Sequence, residues 1–205
     1  SAGLLCNDAY LHQQHGQWVT RGDPTETALL RAGLEAGLQQ TQMHRQYPRL
    51  DSLPFNAEQQ FMATLHQTGQ IYLKGSLEAI LQRCSHSLDR NGLTQPLQRT
   101  EIMTAANQLA QQGLRVLAFA QRPTTALTLD AAQLDQLIFL GLQAMMDPPR
   151  PEAAEAIQAC YQAGIKVKMI TGDHPLTALA IARQLGMHHT ERVLTGQDLI
   201  HLDAA

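Results

Sequence analysis

The chain has 205 residues, 44% of them hydrophobic and 16% charged, with a formal net charge of −3. That length holds one large domain or two small ones with a self-sufficient core, and the composition is that of an ordinary globular protein. The interspersed, slightly acidic charge gives no reason to expect nucleic acid or an anionic membrane as partner, and three distant cysteines, Cys6, Cys84 and Cys160, fit a reducing compartment without a disulfide framework.

His12 and His15 are close enough to share a metal, but both fall in a Gln-rich polar stretch that reads as a solvated loop. Asp23-Pro24-Thr25-Glu26 then opens a helix by local rules, with Asp23 as N-cap, Pro24 at the first helical position and Glu26 at the third. Its apolar stripe, Ala28, Leu29, Ala32 and Leu38, carries it to about Gln39. Residues 60–66 and 70–74 predict a hairpin around Thr68-Gly69, and Gly75 to Glu78 starts a short helix ending near Cys84. Asn91-Gly92 marks a turn. A helix over residues 97–112 stops at Gly113, a buried strand follows over 114–120, and another covers 137–146. That apolar run is too short to span a membrane and is interrupted by Gln143; no signal peptide precedes it.

The three prolines of Asp147-Pro148-Pro149-Arg150-Pro151 make a rigid connector, and the pattern changes after it. Residues 152–163 predict a helix capped by Gly164, 165–170 a β-rich run, 175 onward a second helix, and 192–194 a short strand. This alternation is βαβ-like and predicts a parallel sheet. The class is therefore α/β, with an α+β domain over residues 1–146, a βαβ segment over 147–205 and a boundary at Asp147. Thr171-Gly172-Asp173 joins the run at 165–170 to the helix at Pro175. It is either an ordinary βα turn or an anion site, where backbone N–H groups and the helix dipole face a phosphate.

Seven motifs occur in order: Cys6-Asn7-Asp8, GDPTETALL from Gly22, LPFN from Leu53, LKGSLEAIL from Leu73, GLRVLAFA from Gly113, DPPR from Asp147 and MITGDH from Met169. Together they resemble the cytoplasmic nucleotide-binding domain of P-type cation-transporting ATPases, followed by part of the phosphorylation domain. The resemblance covers nearly the whole chain. It implies a twisted antiparallel sheet with flanking helices, then a partial haloacid-dehalogenase-like βαβ segment.

By the resemblance, Phe55 corresponds to the aromatic that stacks on adenine, where the residue type alone would suggest core. Lys74 and Gly75 correspond to the lysine-glycine pair lining the adenine pocket, against the plain reading of a lysine snorkelling off a strand end. Glu26 corresponds to an acidic residue facing the adenine amino edge, and it also fits a capping box. Arg115 corresponds to an arginine reaching the phosphates; a charge inside an apolar strand needs a partner in either case. Asp147 and Arg150 fall in the hinge motif, and Thr171, Gly172 and Asp173 in the phosphate-side loop.

Two departures stand out. Gln60 occupies a position where the family commonly has lysine, and Ser76 stands where it has alanine. The phosphorylated aspartate's DKTGT motif and the later GDGxND motif are both absent from this sequence. No catalytic residue and no metal ligand is therefore assigned within it. The His174-Pro175 pair follows Thr-Gly-Asp directly, so it differs in place from that of heavy-metal pumps, and the other motifs resemble the calcium, sodium and proton branches. The resemblance implies ATP as ligand, Mg2+ with the intact pump, and the remaining phosphorylation, actuator and transmembrane domains as partners, on the cytoplasmic side of a membrane. A free-standing phosphatase of the same superfamily would need an Asp-x-Asp pair that this sequence lacks; a non-catalytic interaction domain is the third reading.

Overall fold

The computed structural model describes residues 1–14, 17–146, 149–190 and 193–200. By its contacts the chain divides into two compact units, Ser1–Met103 with Leu117–Gln143, and Thr104–Val116 with Ala144–Ala205.

The first unit begins with a short helix α1 (Ala2–Leu5) and a hairpin, β1 (Tyr10–Gln14) with β2 (Gln17–Arg21), paired antiparallel. His12 thus lies on a strand facing Val19, not in a loop, and His15 lies outside the described residues. Cross-strand pairing overrides the low strand propensity of so many glutamines. Helix α2 (Pro24–Glu35) starts where its cap residues require, but ends before Gln39. Gly37, at φ +77°, adopts the left-handed conformation that stops a helix, and a separate helix α3 (Gln40–Gln46) follows.

Strands β3 (Arg49–Asn56), β4 (Phe61–His66) and β5 (Gln70–Gly75) form an antiparallel meander, with the expected hairpin at Thr68-Gly69. Helix α4 (Leu77–Arg83), β6 (Cys84–Leu88), β7 (Thr94–Pro96), α5 (Arg99–Gln111), β8 (Arg115–Pro123) and β9 (Leu137–Met145) follow in chain order, with Thr104–Val116 and the residues from Ala144 assigned to the second unit. The seven-stranded sheet runs β3-β4-β5-β8-β9-β6-β7. It is mostly antiparallel, with β6 and β9 parallel. The mixed α/β class with flanking helices is the one the sequence implies.

Every residue of β4 is buried, and Leu65, Leu73, Ile80 and Leu137 are at 0% exposure. Burying each such side chain contributes about 1.5–3 kcal/mol. Leu5, Cys6, Met43, Met62 and Tyr72 form one cluster of this core. Burial pushes the Cys6 thiol up to about 11 and that of Cys84 to about 12, so both are inert at neutral pH.

Among the buried polar groups, His66 bonds the Tyr47 carbonyl through Nδ1 (2.8 Å) and the Thr64 hydroxyl through Nε2 (3.0 Å). A carbonyl can only accept, so Nδ1 carries the proton and Nε2 accepts from the hydroxyl, which fixes a neutral tautomer. Burial lowers the His66 pKa from 6.5. The unfolded chain therefore takes up this proton at a higher pH than the folded chain. The neutral-His66 contribution is whole above the unfolded value and is lost as pH falls from there towards the folded value. Urea unfolding at about pH 7.5 and about pH 5 should show lower stability at the acid end, and His66→Gln should flatten part of that difference. Equal slopes in both proteins would place the acid sensitivity elsewhere.

In the second unit, α6 (Pro151–Gln162) and α7 (Pro175–Gln184) each start on proline, and α8 (Gly196–Ile200) was not signalled by the sequence. Thr177 is buried and donates to the Leu114 carbonyl at 2.9 Å. The expected strand at 165–170 is not formed: among the described residues after Met145 there is no strand, and Ile170 is 97% exposed. A β-rich run becomes a strand only beside a partner that takes up its N–H and C=O groups. Of the short strand expected at 192–194, Arg192 lies outside the described residues, and Val193 and Leu194 are irregular.

Candidate functional site

Asp23 caps α2 by accepting from the backbone N–H of Thr25 (2.8 Å) and Glu26 (3.4 Å). That places Glu26 in the first helical turn, but its carboxylate does not complete a capping box. Oε1 lies 2.5 Å from Lys74 Nζ, and Oε2 accepts from the Asp8 N–H at 3.2 Å. Burial explains the choice. The Lys74 side chain is 8% exposed and that of Glu26 16%, so Lys74 does not snorkel to water. A buried ammonium left unpaired costs far more than a missing cap bond at a helix end.

Lys74 is reached through the sheet register: Met62 faces Lys74, Phe61 faces Gly75, and Asn56 faces Phe61. Gly75 permits close approach here, because a Cβ would meet the Gln60 carbonyl oxygen at 2.3 Å and Phe61 Cα at 2.8 Å. Gln60 holds a positive φ of 57°, uncommon outside glycine. Its carbonyl accepts from the Ser76 N–H at 3.0 Å, and its side-chain oxygen accepts from the Ser76 hydroxyl at 3.1 Å. The two positions that depart from the family pattern therefore bond each other. Ser76 Oγ also caps α4 by accepting from the Ala79 N–H.

Phe55, next to Asn56 at the end of β3, is 63% exposed. That excludes a core role. A large aromatic exposed to water is a face on which a planar ring can stack.

A bracket around Glu26 went unmarked in the sequence beyond Cys6-Asn7-Asp8. Asn7 is 1% exposed; its Nδ2 donates to the carbonyls of Gly3 and Glu26, and its Oδ1 accepts from the Ala9 N–H. Arg49, first residue of β3, donates to Asp8 Oδ1 (2.6 Å) and to the carbonyls of Leu5 (3.2 Å) and Asn7 (2.5 Å). These partners lie 41 to 44 residues away in sequence, beyond any local signal.

The remaining candidates belong to the second unit. Arg115 is the first residue of β8 and exposed, rather than enclosed by an apolar strand, and its guanidinium lies 3.3 Å from Asp173 Oδ1. Thr171 donates its hydroxyl to Asp173 Oδ2 and accepts from the Asp173 N–H, closing the Thr-Gly-Asp turn on itself. His174 is the N-cap of α7 through Nδ1. Arg150 is exposed at the start of α6, and Asp147 lies outside the described residues. No group of three or more His, Cys, Asp or Glu suited to a metal occurs among the described residues.

Residues 1–152 match the family model described as P-type ATPase, cytoplasmic domain N. The chain belongs to this family. It is 50% identical over 190 residues to the cation-transporting ATPase pma1 of Synechocystis, covering 90% of this chain and 21% of that protein. It is 40% identical over 214 residues to the probable cation-transporting ATPase F of Mycobacterium bovis, covering 99% of this chain and 24% of the relative. A calcium-transporting ATPase 1 of Bacillus cereus is 39% identical over 191 residues, covering 90% and 21% respectively. The chain thus spans about a fifth to a quarter of the length of these relatives. Its family places it as a cytoplasmic domain, and among the described residues no helix is long and apolar enough to cross a membrane.

Proposed function

We propose that the first unit binds the adenine end of ATP between Phe55 and the Lys74–Glu26 pair, as the nucleotide domain of a cation-transporting pump. The observation that carries this reading is an exposed phenylalanine one residue from the sheet row Asn56–Phe61–Gly75, in the same sheet as the buried Lys74–Glu26 pair. Phe55 stacks on the base, Lys74 and Gly75 line the pocket, and Glu26 accepts from the amino edge. Gln60 presents a neutral amide, already bonded to Ser76, where a lysine would have offered charge.

Residues 1–146 form the nucleotide domain in this reading, and residues 147–205 belong to a phosphorylation domain hinged at Asp147 and Arg150. Thr171, Gly172 and Asp173 of that segment, with Arg115 of the nucleotide domain, serve the phosphate side. In the whole pump the γ-phosphoryl passes to an aspartate outside this sequence, and catalysis is positioning with charge neutralisation. Mg2+ belongs to that step; the residues described here offer it no cluster of ligands. The other phosphorylation, actuator and transmembrane segments are the partners.

The 205-residue chain should bind ATP weakly, at about 0.1–5 mM, with NMR shifts at Glu26, Phe55, Lys74 and Gly75. With γ-labelled ATP and magnesium it should neither turn over nor acquire label, because none of its aspartates lies in a DKTGT context. Unmoved signals at millimolar ATP would remove the site assignment, and stoichiometric labelling would remove the division of labour.

A further inference from the structure

We infer that Arg49 is a positioning residue that sets purine selectivity by locking the Glu26 carboxylate as a hydrogen-bond acceptor. This rests on the adenine reading above and adds a residue and a specificity to it.

Arg49 joins the two sides of the candidate pocket. It sits at the start of β3, the strand that carries Phe55 next to its last residue, and its guanidinium holds the turn from Leu5 to Asp8 by two carbonyls and one carboxylate. The same turn holds Glu26 twice, through the Asn7 amide on its carbonyl (3.0 Å) and through the Asp8 N–H on Oε2 (3.2 Å). Lys74 takes Oε1. Each carboxylate oxygen thus already receives a donor, which fixes the group in orientation as an acceptor. An ionised carboxylate has lone pairs and no proton to give. It favours a base that presents an amino group at position 6 and opposes one that presents a carbonyl oxygen there.

Among the bonds described Arg49 does not reach Glu26 itself. Its influence passes through backbone it immobilises. Removing the guanidinium frees the turn, so the Asp8 N–H no longer fixes Oε2, and the carboxylate can rotate about its side chain.

The test compares ATP with inosine triphosphate, which differs at position 6 by an oxo group, titrated into the 205-residue chain and followed by NMR. Wild type should prefer ATP by roughly tenfold, the worth of a hydrogen bond to a charged group. Arg49→Met should lose most of that preference, with ATP weakened and inosine triphosphate nearly unchanged. Arg49→Lys should recover only part of it, since an ammonium cannot reproduce a planar three-way clamp. If Arg49→Met fails to fold, Arg49→Lys carries the test, with a partial fall of the preference expected. A preserved ratio in the variant that folds, or an equal fall for both nucleotides, overturns the role of Arg49. Absence of any ATP preference in wild type instead overturns the adenine reading and takes this proposal with it.

Discussion

Phe55→Ala should abolish measurable ATP binding while leaving the fold unchanged. The ring is 63% exposed, so its removal opens no cavity, and a surface substitution of this kind stays within about 0.5 kcal/mol. The melting temperature should therefore move by no more than about 2 °C. A base stacked on an aromatic loses roughly 1–3 kcal/mol when the ring is truncated. Starting from millimolar affinity, that moves the dissociation constant up by roughly 5- to 150-fold, out of the accessible range. Phe55→Tyr or Phe55→Trp should keep binding, since either ring offers a face. Thermal melting paired with nucleotide titration separates the outcomes. Unchanged binding in Phe55→Ala would show that the exposed ring is not the platform, and a fall of many degrees would contradict its exposure.

What the sequence made legible is what short-range physics controls. Asp23-Pro24 starts α2, Thr68-Gly69 turns the hairpin, Ser76 caps α4, and Gly113 and Gly164 take positive φ after α5 and α6. Each is decided by a residue's own backbone preference or by a side chain reaching two or three positions along. Strand β3 escaped because its burial does not alternate and Pro54 interrupts it; it is an edge strand, where proline is tolerated. The run at 165–170 failed in the opposite sense. Its composition suits a strand, but a strand is a property of a pair.

The site was partly legible in the same terms. Residue type and resemblance pointed to Phe55, Lys74 and Glu26, but type alone left Phe55 between core and platform, and only exposure separates those. Glu26 fitted both a capping box and an acid facing a ligand, and the ammonium 48 residues away draws its carboxylate off the cap. Arg49 has no local mark at all. Its three partners are carbonyls and a carboxylate brought close by the meander, so nothing within ten residues of it signals a role.

Lys74→Met should be the most destabilising single change at the site. It keeps the side-chain volume and removes the charge, leaving the Glu26 carboxylate at 16% exposure without its ammonium. Breaking a buried pair from one side costs about 3–5 kcal/mol, and the retained Asp8 N–H puts this case near the lower end, about 3 kcal/mol. For a chain of this size that is a fall of roughly 6–12 °C in melting temperature. Pairing it with Glu26→Gln removes the stranded charge, so the double variant should be more stable than Lys74→Met alone. The excess over additivity then measures the coupling between the two groups. Neither form should bind ATP as the parent does, since the pocket has lost its acceptor's fixed partner. The double variant therefore separates loss of site from loss of fold: stability returns while binding does not. If Lys74→Met melts within about 2 °C of wild type, the pair is solvated in solution, and the buried Lys74–Glu26 pair assigned to the pocket would have to be abandoned.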